Sequence, residues 1–307
     1  MIKKFIEWFI ILSVALSVFS CNSNSNERVE EHFEENVASD PRVSSDVVKP
    51  KALVGITDFD SSGNEISKQT YTYNEFGILS SETLIVNGVQ QEYIEYIYNE
   101  NQLLIEKNIV TTFAEYDSQN TYKYKYDDKN NVIVEQNINS NGDIIENIIY
   151  EYDEKNRIIT KYDSIKNTTV SYTYSEHNSY SVKTEYEFEG EKYFHLLDYE
   201  YDRYGNLIHQ ITYKQNSLTE IDVKVVNTYN NGLIISSHTY VEDNLCDIIE
   251  YEYSDNLIIK KTHSDIFGVY MTIEYFYNEY NDLEKVCNKL ISGVLQYYTI
   301  YTYDDIN

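Results

Sequence analysis

A Tyr-x-Tyr pair followed by a turn residue recurs about every 26 residues from Tyr71 to the C-terminus of this 307-residue chain. A fixed period of that size marks a repeat architecture, in which each unit buries its apolar face only against its neighbours. The second tyrosines, the anchors of the pattern, are Tyr73, Tyr98, Tyr126, Tyr152, Tyr174, Tyr201, Tyr229, Tyr253, Tyr277 and Tyr303.

The residues before each anchor alternate. In Asp247–Tyr253, Ile249, Tyr251 and Tyr253 share one face, while Ile248, Glu250 and Glu252 share the other. A period of two is the signature of a strand with one wetter face. After each anchor stands Asn, Asp or Ser, whose side chains satisfy backbone donors two residues on and so favour chain reversal. Four positions after seven of the anchors stand Gly77, Gln102, Asn130, Asn156, Asn178, Gly205 and Asn281. Six of these seven are types that accept positive φ at low cost, as the last residue of a hairpin loop requires. Gln102 is the exception and predicts a shifted turn around Asn101. Two later units close sooner, through Asn231-Gly232 and Asp255-Asn256. A second set of turns, at Asn87-Gly88, Asn141-Gly142, Glu189-Gly190, Gly268 and Ser292-Gly293, completes each two-stranded unit. No proline follows Pro50, in keeping with strands whose N–H groups are all in use.

The expected fold is all-β: a repetitive antiparallel hairpin meander of about ten two-stranded units, forming an elongated or curved sheet over residues 51–307. Its tyrosines are expected to cement neighbouring units by ring-on-ring stacking, because a tyrosine ring buries about 150–250 Å² and stacked pairs add about 0.5–1.5 kcal/mol.

The N-terminus predicts an address. Lys3 and Lys4 precede an apolar run from Phe5 to Phe19, and Val18-Phe19-Ser20-Cys21 resembles the lipobox of bacterial lipoproteins. The resemblance implies a signal peptide over 1–20, lipidation of Cys21, and a place in the bacterial cell envelope, on the outer membrane with its face left open. Residues 21–50 are polar and acidic and hold both prolines, Pro41 and Pro50, which reads as a disordered tether. The formal net charge is −27, and loss of Lys3, Lys4 and Glu7 with the signal makes it one unit more negative. Such a balance argues against nucleic acid and against anionic lipid headgroups as partners. Cys246 and Cys287 fall three strands apart in a simple meander, about 14 Å at the usual strand spacing, which is too far for a disulfide.

Tyr199-Glu200-Tyr201-Asp202-Arg203-Tyr204-Gly205-Asn206-Leu207 resembles the tyrosine-aspartate (YD, or Rhs) repeat, and Tyr71–Leu79 and Tyr150–Ile158 match it more loosely. Ten copies in register carry the resemblance over residues 55–307. It implies an antiparallel β array and similarity to short envelope lipoproteins with YD repeats. It implies no catalytic residues.

The rest of the chain offers little chemistry. Asp58-Phe59-Asp60-Ser61-Ser62-Gly63 imitates the start of a calcium loop, but Gln69 occupies the twelfth position where a bidentate Glu is needed. A degenerate first hairpin with Phe59 in the anchor place accounts for it better. His238 and His263 fall on consecutive return strands with opposite parity, so no metal or cofactor is expected. There is no phosphate-cradling glycine loop and no nucleophile elbow. The sequence therefore predicts a non-catalytic envelope lipoprotein, membrane-bound through its lipid, whose β domain is a binding or scaffolding module for a protein partner. The alternative is a carbohydrate-binding module using tyrosines such as Tyr93, Tyr193 and Tyr298, read as facing away from the anchors.

Overall fold

The computed structural model describes residues 51–113, 116–175 and 179–305. The expected signal peptide, Cys21, the expected tether and Asn178 lie outside the described residues. Every regular element of the described residues is a strand: β1 (Lys51–Asp60), β2 (Glu65–Tyr73), β3 (Leu79–Val86), β4 (Val89–Tyr98), β5 (Leu104–Phe113), β6 (Tyr116–Tyr126), β7 (Val132–Asn139), β8 (Ile144–Tyr152), β9 (Ile158–Asp163) and β10 (Thr168–Tyr174). They continue as β11 (Ser179–Phe188), β12 (Glu191–Tyr201), β13 (Leu207–Tyr213), β14 (Ile221–Asn230), β15 (Leu233–Val241), β16 (Asn244–Ser254), β17 (Leu257–Asp265), β18 (Gly268–Tyr277), β19 (Leu283–Leu290) and β20 (Leu295–Asp305). Each even-numbered strand ends at an anchor or just past it, and each odd-numbered strand is a return strand.

Each strand pairs antiparallel with the next, and β20 pairs with β1 from Lys51↔Asp305 to Asp60↔Tyr297. The sheet is therefore a closed 20-stranded barrel. The elongated or curved open meander expected from the sequence is wrong. The reason lies at the two ends of the domain. Among the described strands, β1 is a return strand with no anchor strand before it, and β20 is an anchor strand with no return strand after it. Each supplies what the other lacks, and closure removes the two edges an open sheet would expose.

The seam repeats the geometry of the other units. At an ordinary hairpin, Tyr73 faces Leu79 and Thr72 faces Ser81, leaving Ser80 as a bulge. At the seam, Tyr303 faces Leu53 and Thr302 faces Gly55, leaving Val54 as the bulge. Nine of the ten anchor ladders shift register next to the tyrosine in this way; the exception is β10–β11, where Tyr174 faces Tyr180. A bulge bends its strand and raises the local twist, so a bulge at nearly every anchor curves the wall in the same sense all the way round.

Turn chemistry sits where the pattern placed it, with one correction. Asn130, Asn156 and Asn281 have φ of 66°, 59° and 66°, and Gly77 and Gly205 have 73° and 84°. Gln102 adopts φ of 61°, and its N–H reaches the Asn99 carbonyl at 2.9 Å, so the turn is not shifted to Asn101. The Asx bonds of Asn99, at 2.9 and 3.0 Å, hold the loop whatever residue fills the fourth place.

No side chain of the described residues is completely buried. Twenty strands at about 4.8 Å spacing make a wall about 95 Å around, so a round cross-section is at least about 30 Å wide, more than one layer of side chains can fill. The wall has a shaded and a splayed face. Ile148, Tyr150 and Tyr152 are half-buried while Ile149 and Glu151 are exposed, and Tyr251 and Tyr253 differ likewise from Glu250 and Glu252. Side chains converge on the concave side of a closed wall, so the tyrosine face lines the interior.

Candidate functional site: tyrosine belts and two unlike rims

The anchors form one interior belt near one end of the barrel. Each lies two strands from the next, about 9.6 Å, with a return-strand residue between them. That spacing exceeds the 4.5–7 Å at which rings stack, so the expected ring-on-ring cement is not how the belt works. The hydroxyl holds neighbouring units together instead. Tyr73 donates to the Leu53 carbonyl at 2.6 Å, Tyr98 to Leu79 at 2.7 Å and Tyr126 to Leu104 at 2.7 Å. Six more anchors make the same bond to the preceding return strand, at 2.7–3.0 Å. Tyr201 departs from the pattern: the preceding return strand has Tyr180 at the usual aliphatic place, and the two phenols stack at 6.1 Å and share a hydrogen bond. The exception in sequence and the exception in geometry are one residue.

A second belt lies two residues upstream: Tyr71, Tyr96, Tyr124, Tyr150, Tyr172, Tyr199, Tyr251, Tyr275 and Tyr301, with Asn227 in the remaining place. Return-strand residues fill the gaps between its rings. Lys107 stands over the ring of Tyr96 and over that of Tyr122, two residues upstream of the belt's Tyr124, at 5.8 and 5.6 Å, Lys161 over Tyr150 and Tyr172 at 5.3 and 5.8 Å, and Lys261 over Tyr251 and Tyr275 at 5.5 and 5.4 Å. These are cation–π contacts in register. Glu82 and Glu135 occupy the same level and accept from Tyr96 and Tyr150 at 2.5 and 2.6 Å. Burial, joined by the Glu82 carboxylate, pushes the Tyr96 phenol well above its ordinary value, and burial does the same to Tyr124. Both phenols stay neutral donors at physiological pH.

The two rims differ. At the anchor rim, six turns share one device, in which the Asn or Asp after the tyrosine accepts two backbone N–H groups, as Asp127 does from Lys129 and Asn131 at 2.9 and 2.8 Å. At the opposite rim the connections vary. Asn87-Gly88, Glu189-Gly190 and Glu242-Asp243 are tight turns with positive φ at both residues, whereas Lys214 to Glu220 is a longer loop. That loop and Glu242-Asp243 border an open hollow of about 360 Å³, crossed by a Lys214–Glu242 ion pair at 2.6 Å. Phe59 and Asp60 belong to this rim. The turn has the anchor form, with Asp60 accepting from Ser62 and Asn64 at 2.8 and 2.9 Å, but Phe59 stacks on Tyr298 at 4.9 Å. The residue that meets the tenth anchor is Leu53, so Phe59 is not the start of the anchor series.

The other residues that the sequence singled out resolve simply. Cys246 is exposed, Cys287 is buried, and both are free thiols. His238 pairs with Ile248 and His263 with Ile249, which places them on opposite faces. Among the described residues no group of three or more His, Cys, Asp or Glu side chains is placed to hold a metal. Tyr193 falls on the anchor side, stacked on Tyr186 at 5.6 Å, because it lies an even number of residues from Tyr201. Tyr298 does face away from the anchors, but Phe59 covers its ring, and Lys285 stands 4.4 Å from the ring centre.

The pattern did not single out the apolar tips of the second rim. Phe267 is 90% exposed, Ile266 70% and Ile291 68%. The signal was present in the sequence: Ile266-Phe267 and Ile291 stand at turn positions where polar residues belong.

No family model matches the chain, and no curated protein matches it. Among solved structures it is similar to the TcdB2-TccC3 crystal structure, at 12% identity and a TM-score of 0.28 over 78% of this chain, which spans only 18% of that one. It is also similar to a porin-like protein from Bacteroides uniformis, at 10% identity and a TM-score of 0.37, covering 82% of this chain and 96% of that one. A porin-like protein from Bacteroides vulgatus gives 9% and 0.31, covering 83% and 99%. At these distances nothing passes from the neighbours to this chain beyond the comparison itself.

Proposed function

We propose that this chain is a non-catalytic envelope lipoprotein of YD-repeat type, held to the membrane by lipid on Cys21, whose hollow barrel is a binding and scaffolding module for another protein. One observation carries this reading: both faces of the wall bear charged side chains in mid-strand. Lys107, Lys161 and Lys261 stand among the interior tyrosines, and ion pairs such as Lys260–Glu252 at 2.7 Å and Lys289–Glu274 at 2.6 Å lie on the other face. A barrel that spans a bilayer needs an outward apolar band about 25 Å tall. A wall charged on both sides belongs in water, and attachment then falls to the lipid.

The test is metabolic labelling with a palmitate analogue, followed by membrane fractionation. The wild-type chain is expected to carry label and sediment with membranes, and Cys21→Ser to lose both. A Cys21→Ser chain that stays in the membrane after alkaline carbonate washing would show that the barrel itself is embedded. The carbohydrate alternative finds less support, because Tyr298 is covered by Phe59 and Tyr193 lies against Tyr186.

A further inference from the structure

Exposed apolar residues stand all round the second rim, among them Val89, Ile165, Phe188 and Leu218, but the most exposed are on two adjacent turns, β17–β18 and β19–β20. A hydrogen bond from the Ile291 N–H to the Tyr270 carbonyl at 3.2 Å carries the β18–β19 ladder one step past Met271↔Leu290 and sets the start of the β19–β20 turn beside β18. Around that bond stand Ile266, Phe267, Val269, Ile291 and Val294, all exposed. The tips are held rather than loose, since the Phe267 N–H bonds to Asp265 at 2.7 Å and the Tyr270 hydroxyl to Asp247 at 2.7 Å. That bond to Asp247, with burial, pushes the Tyr270 phenol up to about 12. By contrast the described anchor-rim turns expose only Phe76, Tyr204 and Tyr280 among large apolar or aromatic side chains, each alone in its own turn. A contiguous apolar patch on rigid turns is the mark of a contact surface, since scattered single residues are ordinary.

Charge decides what fits it. The patch is flanked by Asp243 in the β15–β16 turn, whose neighbour Glu242 is already paired with Lys214, and, across the seam, by Asp60 and Glu65 at the β1–β2 turn. The four turns from β15 round to β2 contain no lysine or arginine. Resting on the binding-module reading above, we infer that this quarter of the rim is the docking surface for a cationic, amphipathic segment of a partner protein. Apolar residues of the partner cover Phe267 and Ile291, and its lysines or arginines meet the acidic flanks. An anionic bilayer surface is repelled by those same flanks. A second copy is repelled too, because the chain as a whole carries a formal charge of −27.

The probe is a short synthetic peptide alternating lysine and leucine, titrated calorimetrically into the full chain, with a lysine–serine peptide as control. The leucine peptide is expected to bind, more weakly as salt is raised, and the serine peptide about tenfold less well. The pair Phe267→Ser and Ile291→Ser is expected to lower affinity for the leucine peptide about tenfold, with no change in the thermal midpoint. Glu65→Lys weakens it through the flank alone, while Phe76→Ser with Tyr204→Ser at the other rim leaves it unchanged. Equal binding of the two peptides, or equal loss from variants at either rim, overturns the inference. So does apolar-tip-dependent binding to phosphatidylglycerol vesicles, or a concentration-dependent dimer lost in Phe267→Ser. Any of these results leaves the lipid attachment standing, because palmitate labelling reports on Cys21 and not on the rim.

Discussion

The two rims are made by the same strands and obey different rules. At the anchor rim every connection follows a tyrosine, and six use the same side-chain cap, so the turn is part of the wall: its hydroxyl bond, bulge and Asx cap lie within a few residues of one another. At the opposite rim the connections differ in length and conformation, and apolar tips stand in the open. The difference separates two jobs. One rim repeats a single arrangement of tyrosine hydroxyl bond and bulge nearly all the way round, although seven ladders at the other rim shift register as well. The other is free to vary because only its own hairpin depends on it, and loops of that kind carry recognition.

The largest way to break this contrast is to open the ring. Removing β20 leaves β1 and β19 as bare edges and removes the tenth anchor, and the loss is expected to exceed the whole stability of an ordinary domain, about 5–15 kcal/mol. Size exclusion and circular dichroism should show unfolded or aggregated protein with both rims gone. A monomeric, cooperative truncated barrel would mean that the units stand without closure.

Next comes the anchor bond. Tyr126→Phe keeps the ring but leaves the Leu104 carbonyl without its donor, at an expected cost of about 1 kcal/mol in chemical denaturation. Phe267→Ser at the other rim should change stability by less than about 0.5 kcal/mol, because the residue is 90% exposed. Equal costs at the two sites would erase the distinction between the rims. Gly205→Ala sharpens it within the anchor rim: nothing lies within 4 Å of an added Cβ, so any loss, expected near about 1 kcal/mol, is the strain of φ at 84°.

The smallest effect concerns acid. The side chain of Asn131 and the turn amides hold the Asp127 carboxyl below its usual range, and Asn206 does the same for Asp202. A depressed folded-state value means the contribution is present above the unfolded carboxylate range, about pH 4, and fades as pH falls through the lower folded value. Asp127→Asn with Asp202→Asn keeps the acceptor oxygen that Asn74 and Asn99 use in equivalent turns. That double variant is expected to lose less of its thermal midpoint than wild type does as the solution is taken from about pH 5 to about pH 3. An unchanged acid slope would place the titration elsewhere.

Much of this was legible in the residues. Alternation before Tyr253 showed the strand, and Asn or Asp after each tyrosine showed the turn, because both are local consequences of side-chain direction and short-range hydrogen bonding. The anchor hydroxyls were less legible. Ring area pointed to stacking, but anchors on every second strand are too far apart to touch, and the carbonyl that each one finds lies about twenty residues away. Tyr193 lies with the anchors, stacked on Tyr186, as its even separation from Tyr201 requires. The apolar tips were visible at Ile266-Phe267 and Ile291 as residues out of place in turns, yet only the register of β18 on β19 sets the two turns side by side.

By itself, then, the chain's order of residues determined strands, turns, two-sidedness and a count of ten anchors, since each depends on contacts within a hairpin. Closure belonged to the tertiary structure. Whether Leu53 meets Tyr303 depends on the bend and twist summed over the twenty strands of the wall, a quantity that no single repeat contains and that only the assembled sheet can bring back to its own beginning.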